Sequence, residues 1–175
     1  MYNKINFLFV TLFGIGKIKK IPGSFASLAT TIFLFILLHI LSVSPNIVLI
    51  SVIIIFFISL YSVNIFIKDL DNKDPKEVVI DEFIGQSIPI CLYEIAHEGS
   101  KETDQALTSY FIMFILFRIF DIVKPYPVSY YDKNFKNSFG VIMDDVCAGL
   151  YVVAVLVLYM VFTSWINFLK KLSDY

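Results

Sequence analysis

The chain has 175 residues and a formal net charge of −1, so a single domain over residues 1–175 is the simplest expectation. Hydrophobic residues make up 58% of it and charged residues 17%, whereas soluble globular proteins average roughly 45–50% and about 25%. This composition excludes an ordinary water-soluble protein, and the near-zero charge provides no basic surface for nucleic acid. We therefore expect the lipid bilayer to surround this chain.

Apolar runs predict an all-α fold, a polytopic membrane helical bundle of about four to five membrane segments. The first run, over 5–13, is followed by the basic stretch Lys17-Ile18-Lys19-Lys20 and not by a small-residue cleavage site. We interpret it as a retained segment at the membrane interface. Pro45 and Asn46 form the expected turn between the next two runs. The longer runs cover residues 28–43, 47–67, 106–123 and 146–169, and about 20 apolar residues span a bilayer.

The apolar stretch 83–96 is too short to classify by its length. It is interrupted by Gly85 and Pro89 and fits either a membrane span or a re-entrant segment. If it crosses, 11 of the 14 Lys and Arg lie on one face, and if it does not, the division is 10 to 4. Both arrangements place the N-terminus in the cytoplasm by the positive-inside rule. The polar loop 97–105 is then expected outside.

Carboxylates at the ends of the apolar runs favour the five-segment arrangement or a re-entrant equivalent. Asp81 and Glu82 precede the short stretch, Asp121 ends the following run, and Asp144 and Asp145 precede the last one. Only this arrangement brings all of them to one surface. Because ionisable groups beside or inside membrane spans are costly and usually functional, we predict one site at the cytoplasmic surface.

A glycine-rich stretch lies near the N-terminus. Gly14-Ile15-Gly16 is followed by Ile21-Pro22-Gly23-Ser24-Phe25-Ala26-Ser27, directly before the first long apolar run. Glycines let backbone amides approach an anion, and Ser24 or Ser27 can cap a helix whose N-terminus attracts phosphate. An ordinary Pro-Gly turn with a serine cap is the alternative interpretation.

Two motifs contain adjacent acids, Asp81-Glu82-Phe83-Ile84-Gly85 and Gly140-Val141-Ile142-Met143-Asp144-Asp145-Val146-Cys147-Ala148-Gly149. The first pair also fits simple capping of a helix N-terminus. A hard cation such as Mg²⁺, however, takes one or two carboxylates together with water and substrate oxygens. The second pair lies between apolar residues, where it is costly unless a cation neutralises it.

Cations and an acid stand together in Phe117-Arg118-Ile119-Phe120-Asp121-Ile122-Val123-Lys124-Pro125-Tyr126-Pro127. Arg118 and Asp121 share a helix face, so an internal ion pair is one interpretation. In the other, Arg118 holds a phosphate group through its planar fork and Lys124 supplies a point charge.

In order and spacing these motifs resemble the phosphatidylglycerophosphatase A family over about residues 14–149. The matching segments are Pro22-Gly23-Ser24, Asp81-Glu82-x-x-Gly85, Phe117-Arg118-x-x-Asp121-x-x-Lys124-Pro125-x-Pro127 and Gly140-x-x-x-Asp144-Asp145-x-x-Ala148-Gly149. Each motif is weak alone, but four in order form a specific signal. Two positions depart from the pattern, because the family usually has Thr where this chain has Ser24 and Gly where it has Ala26.

The resemblance implies a Mg²⁺-dependent phosphatase of the bacterial cytoplasmic (inner) membrane, with its active site on the cytoplasmic face. Its substrate would be phosphatidylglycerophosphate, hydrolysed at the terminal phosphomonoester to phosphatidylglycerol and phosphate in phospholipid biosynthesis. The implied catalytic and metal-binding residues are Asp81, Glu82, Asp121, Asp144 and Asp145, and the implied phosphate-binding residues are Arg118, Lys124, Gly23, Ser24 and Ser27. Glu82 is the expected general base for direct attack by water, and an aspartyl-phosphate intermediate is the alternative.

Other lipid-phosphate chemistries fit this chain less well. Phosphatases with a catalytic His pair are disfavoured, because the two histidines are His39, expected in mid-span, and His97, expected in an outer loop. Asp69-Leu70-Asp71 imitates the start of a haloacid-dehalogenase motif, but Lys73 occupies the position of its Thr or Val. Two alternatives stay open: a phosphatase for another lipid phosphate, and a non-enzymatic membrane protein that forms an ion path or a scaffold.

Overall fold

The computed structural model describes residues 4–97 and 103–173, and within these ranges it consists of helices and the turns between them, with no strand. The helices are α1 (Lys4–Val10), α2 (Pro22–Phe35), α3 (Pro45–Ile67), α4 (Ile80–His97), α5 (Thr103–Val123), α6 (Val128–Asn134) and α7 (Ser138–Ser173). A π-helical turn, Ile36–Ile40, prolongs α2. The prediction of an all-α fold is confirmed.

Four helical segments are long and apolar enough to cross a membrane: Pro22–Ile40, Pro45–Ile67, Thr103–Val123 and Ser138–Leu172. Large apolar side chains lie exposed on their outer faces; Phe57 is 64% exposed and Leu158 is 68% exposed. Extensive exposed apolar surface of this kind marks contact with a membrane or a partner. Together with the length of the helices, it confirms the prediction of a polytopic membrane bundle.

Helix α4 lies in the middle of the bundle. It packs against α2, α3, α5 and α7, and its polar residues Gln86 and Glu94 are almost completely buried. Its 18 residues form one continuous helix of about 27 Å at 1.5 Å per residue, so the chain makes no re-entrant reversal there. Because neighbouring helices surround α4, it tolerates more polar residues than a lipid-facing helix, which explains why its sequence is ambiguous.

The start of α2 differs from the expectation. The helix begins at Pro22 and not after Ser27, with Ile21 as its N-cap and no side-chain cap. Proline suits the first helical position because its φ is already helical. The hydroxyl of Ser27 donates to the Gly23 carbonyl 2.9 Å away. The predicted capping by Ser24 or Ser27 is therefore wrong, and Pro22–Ser27 is helix instead of loop.

Two further boundaries differ from the sequence-based prediction. Pro45 is the first residue of α3, so the turn before α3 lies in residues 41–44. Helix α7 begins at Ser138, which places Asp144 and Asp145 inside the helix and not before it. The acids therefore have fixed helical directions, which a loop would not give them.

The two histidines also lie outside their expected surroundings. His39 belongs to the π-helical turn at the end of α2, and its Nε2 lies 3.2 Å from Glu94 Oε1. His97 is the last residue of α4 and not part of a loop. The outer loop expected over 97–105 is shorter, because α5 begins at Thr103. Residues 98–102, including Lys101, lie outside the described residues.

A close contact between α4 and α7 sets the distance between the acids of these two helices. A Cβ added to Gly85 would lie 2.5 Å from the backbone oxygen of Asp145, and one added to Gly149 would lie 2.3 Å from that of Gly85. Larger side chains would force the helices apart, as at small-residue crossings of other membrane helices. Since Gly85 follows Glu82 by one helical turn, the contact holds the acids of the two helices close together.

Candidate active site

Three carboxylates from two helices meet at one end of α4. Asp81 and Glu82 lie in the first turn of α4, and Asp145 lies in α7. One oxygen of each lies within 4.8 Å of the other two. Asp81 is 8% exposed and Asp145 3%, and among the described residues Glu82 Oε2 has no hydrogen-bond partner. Buried acids so close together require protons or a cation to neutralise them. We refer to these three residues as the acidic cluster.

The first turns of α2 lie over the acidic cluster. A Cβ at Gly23 would lie 2.0 Å from Glu82 Oε1 and 3.3 Å from Arg118 Nη1, so a larger residue would displace both side chains. One turn later, the Ser27 hydroxyl accepts a hydrogen bond from Arg118 Nη1 at 3.3 Å. Ser24 is half-buried and lies about 100° around the helix from Gly23. Gly23 and Ser27 therefore face the site, whereas Ser24 lies to its side.

The stretch Gly14-Ile15-Gly16 makes a different contact. A Cβ at Gly16 would lie 2.0 Å from the backbone oxygen of Glu77. Glu77 belongs to the segment that leads into α4. Gly16 therefore allows two backbone segments to pack closely, and the structure does not place it in the acidic cluster.

Arg118 links α2 to the end of α5. Its Nη1 lies 2.7 Å from Asp121 Oδ2 in addition to the contact with Ser27. The ion pair expected from the i, i+3 spacing is therefore confirmed. Within the described part of the chain, Arg118 Nε is buried and has no hydrogen-bond partner. Because a guanidinium carries five N–H donors, the ion pair leaves capacity for a further anionic acceptor.

Lys124 joins the end of α5 to α6 and α7. Its Nζ donates to Asp132 Oδ1 at 2.6 Å and to Asp144 Oδ2 at 2.9 Å. Although partial burial opposes the charge, the carboxylates of Asp144 and Asp132 raise the pKa of Lys124 above its ordinary value, so the ammonium group stays charged at neutral pH. The Lys124 backbone has a φ of 49°, a conformation that is costly outside glycine and often occurs at functional sites.

Asp132 is a site residue that none of the sequence motifs includes. It lies in the short helix α6, Val128–Asn134, within a stretch that otherwise looks like a polar loop. The available signal was Pro125-x-Pro127, which ends α5 and reverses the chain. A short helix after such a reversal carries its side chains back toward Lys124.

The five carboxylates predicted as one set occupy two neighbouring groups. Asp81, Glu82 and Asp145 form the acidic cluster. Asp121 and Asp144 are each paired with a cation, and the Asp145 backbone N–H donates to Asp144 Oδ1 at 3.0 Å. Hydrogen bonds, ion pairs and close approaches thus connect both groups with Arg118, Lys124 and the start of α2 in one region, at the same end of the bundle.

A family model described as Phosphatidylglycerophosphatase A matches residues 8–160. This chain belongs to the phosphatidylglycerophosphatase A family. A Phosphatidylglycerophosphatase A from Haemophilus influenzae is 37% identical over 155 residues, covering 89% of this chain and 88% of that protein. The Escherichia coli protein of the same name is 28% identical over 154 residues, covering 87% and 81%. The resemblance and the prediction of a lipid phosphatase are confirmed, and the non-enzymatic alternative is removed.

A third relative matches only part of this chain. A Bacteroides thetaiotaomicron protein, provisionally named a phosphatidylinositol-3-phosphatase, is 42% identical over 80 residues, covering 46% of this chain and 45% of that protein. No solved structure matches the chain. All three relatives are named as lipid phosphatases, but their names differ in the lipid headgroup.

Proposed function

We propose that this protein hydrolyses the terminal phosphomonoester of phosphatidylglycerophosphate in a Mg²⁺-dependent reaction, giving phosphatidylglycerol and phosphate for phospholipid biosynthesis. The observation that carries the proposal is the acidic cluster, with its three oxygens within 4.8 Å, beside the Arg118 guanidinium. A metal ion and a guanidinium group together can offset the charge of a phosphate ester as it reacts. The names of the two full-length relatives supply the lipid headgroup.

The donors of Asp81, Glu82 and Asp145 fit a Mg²⁺ ion. All are carboxylate oxygens, which this hard cation prefers. One oxygen from each residue lies within 4.8 Å of the other two, so these three side chains would hold the ion. The unpartnered Glu82 Oε2 gains a partner in this way. When bound, Mg²⁺ supplies charge that polarises the phosphoryl group and favours deprotonation of water.

Arg118 and Lys124 bind and orient the phosphomonoester in this mechanism. Asp121 and Ser27 hold the Arg118 guanidinium in place, so little side-chain freedom is lost when the substrate binds. The unpartnered Nε donates to a phosphoryl oxygen. Lys124, held between Asp132 and Asp144, adds a second positive charge.

Glu82 is the residue that we assign as the general base. A water oxygen forms the new bond to phosphorus while its proton passes to Glu82, and the bond between phosphorus and the glycerol oxygen breaks as that oxygen takes a proton from solvent water. Glu82 then returns its proton to solvent, so no proton is gained or lost overall. The alternative is attack by an Asp carboxylate, which forms an aspartyl-phosphate that water then hydrolyses. Acid quench during turnover of ³²P-labelled substrate separates the two, because label on the protein would refute direct attack by water.

We place the site at the cytoplasmic face of the bacterial inner membrane. Eleven of the 14 Lys and Arg lie before α2, between α3 and α4, or from the end of α5 to the start of α7. These segments are at the same end of the bundle as the acidic cluster. Cytoplasmic loops carry an excess of Lys and Arg, which supports this orientation.

Phosphate release by the purified protein in detergent tests the proposal. With Mg²⁺ we expect turnover of phosphatidylglycerophosphate, its loss when a chelator is added, and its recovery when Mg²⁺ is restored. Phosphatidylinositol 3-phosphate is the comparison substrate, chosen because of the partial Bacteroides relative. At least tenfold higher kcat/KM for phosphatidylglycerophosphate is expected. Equal or reversed preference would assign the protein to another lipid phosphate, and turnover unaffected by chelation would refute the metal.

A further inference from the structure

An elongated apolar cavity opens between the N-terminal segment, α2 and α3. Its volume is about 630 Å³, within the range of roughly 300–1,000 Å³ that small-molecule pockets occupy. Residues of α2 between 29 and 37 and of α3 between 47 and 55 line it, which gives a length of about 12 Å along each helix at 1.5 Å per residue. Ile80 and Phe83 of α4 also line the cavity, and they flank Asp81 and Glu82 in the sequence.

One face of α2 leads from the candidate active site into this cavity. Gly23 and Ser27 face the site, and Thr30, Leu34 and Leu37 line the cavity. These five positions follow one another at the spacing of a single helix face. The helix rises only about 4.5 Å between Ser27 and Thr30. The cavity is therefore the apolar continuation of the site.

The cavity walls offer almost no hydrogen-bonding capacity. Its two hydroxyl-bearing residues use their hydroxyl protons internally: Thr30 Oγ1 donates to the Ala26 carbonyl at 2.8 Å, and Ser51 Oγ donates to the Ile47 carbonyl at 2.8 Å. The remaining lining residues are hydrocarbon or aromatic. The matching ligand is therefore apolar over the whole length of the cavity.

The position and the lining of the cavity favour one kind of occupant. Its apolar walls continue along α2 from the candidate active site, so a ligand that reaches both is polar at one end and apolar along its length. A hydrocarbon chain whose polar end lies at the acidic cluster satisfies both the shape and the chemistry.

We propose that this cavity binds one acyl chain of the lipid substrate while the phosphomonoester lies at the acidic cluster. The identity of the headgroup rests on the proposed function. The binding of an acyl chain rests on the shape and the lining of the cavity alone. Lipid tails are as apolar as the helices around them, so the contribution is to positioning more than to affinity. The bound chain fixes the depth of the headgroup, which brings the phosphoryl group to Arg118.

Filling the cavity tests this proposal. Two test variants, Ala29→Phe and Ser51→Phe, place an aromatic ring in the cavity. Two control variants, Ile32→Phe and Ile54→Phe, place a ring on the exposed faces of the same helices, where Ile32 is 53% exposed and Ile54 is 54% exposed. We expect kcat/KM for dipalmitoyl phosphatidylglycerophosphate to fall at least tenfold in the cavity variants only. The dihexanoyl substrate should be hydrolysed at the wild-type rate by Ser51→Phe, because residue 51 is half-way along the lining stretch 47–55 and the short chains end before it. Equal effects on both substrates, or none, would overturn the proposal.

A measurement without turnover separates this proposal from the proposed function. The wild-type protein, held in chelator, is irradiated with a phosphatidylglycerophosphate that carries a diazirine near the end of one acyl chain. Crosslinks are expected within residues 29–37 and 47–55, and Ala29→Phe should remove them while Ile32→Phe retains them. An inactive protein with these crosslinks would refute only the proposed function. An active protein whose crosslinks lie only on exposed lipid-facing residues would refute the acyl-chain site.

Discussion

Replacing Gly85 by alanine should reduce turnover without unfolding the protein. The added Cβ would lie 2.5 Å from the Asp145 backbone oxygen and 2.8 Å from the Phe117 ring. Ordinary van der Waals contact begins at 3.4 Å, so α4 and α7 must separate locally by about 0.9 Å. Because Glu82 and Asp145 lie on opposite sides of this contact, the acidic cluster opens by a similar amount. Misplacement of about 1 Å can cost roughly 100-fold in rate.

The assay is kcat with phosphatidylglycerophosphate at saturating Mg²⁺, together with the thermal unfolding midpoint in detergent. Overpacking costs typically about 1–3 kcal/mol, so Gly85→Ala should lower the midpoint moderately while kcat falls roughly 100-fold. Ala96→Val is the matched control, because it adds bulk to α4 at an exposed position. Gly149→Ala should reproduce the defect from the other helix. Wild-type kcat in Gly85→Ala would show that the helix contact does not position the acids.

Three further outcomes are expected. Arg118→Lys should lose most activity, because a point charge cannot replace the planar guanidinium fork. Near-normal kcat/KM would show that the fork is not needed for the reaction. Asp144→Asn should lower kcat at least 100-fold, since it weakens the ion pair with Lys124, whose Nζ lies 2.9 Å from Asp144 Oδ2. Asp132→Asn should lower kcat less than tenfold, because the side chains of the Lys124–Asp132 pair are more than a quarter exposed and exposed pairs contribute little. Cysteines replacing Lys73 and Lys133 should both react with a membrane-impermeant maleimide from the cytoplasmic side of vesicles; reaction from the opposite side would reverse the proposed orientation.

The class of fold and the convergence of several predicted acids follow largely from the sequence. Helical runs of sufficient length predict membrane helices because the bilayer leaves no other way to satisfy the backbone. Acids stand at the ends of three apolar runs, and in the five-segment arrangement these ends lie at the same membrane surface. The sequence therefore predicts that the acids lie close together. Asp81, Glu82 and Asp145 do converge in this way.

The pairing within the site could not be predicted, because it depends on helix rotation and on short-range contacts. The sequence does not show that Lys124 turns toward Asp132 and Asp144, since the left-handed backbone and the hidden helix α6 decide that direction. Helix boundaries were missed for a related reason. Apolar content marks the part of a helix that faces lipid or the core, and it says little about polar first turns such as those of α2 and α7.

The central position of α4 has a consequence for how the protein enters the membrane. This helix carries Asp81, Glu82 and Glu94, and a charged residue in a membrane helix costs about 2.5–3.5 kcal/mol at the bilayer centre on insertion scales. Glu94 lies 3.2 Å from His39 of the earlier helix α2, whereas the cation near Glu82 is Arg118 of α5, which is synthesised later. A nascent chain ending at His97 therefore lacks half of these partners. We expect α4 to remain beside the translocon until α5 emerges, so that integration into the bilayer is a joint event of several helices and not a sequence of independent ones.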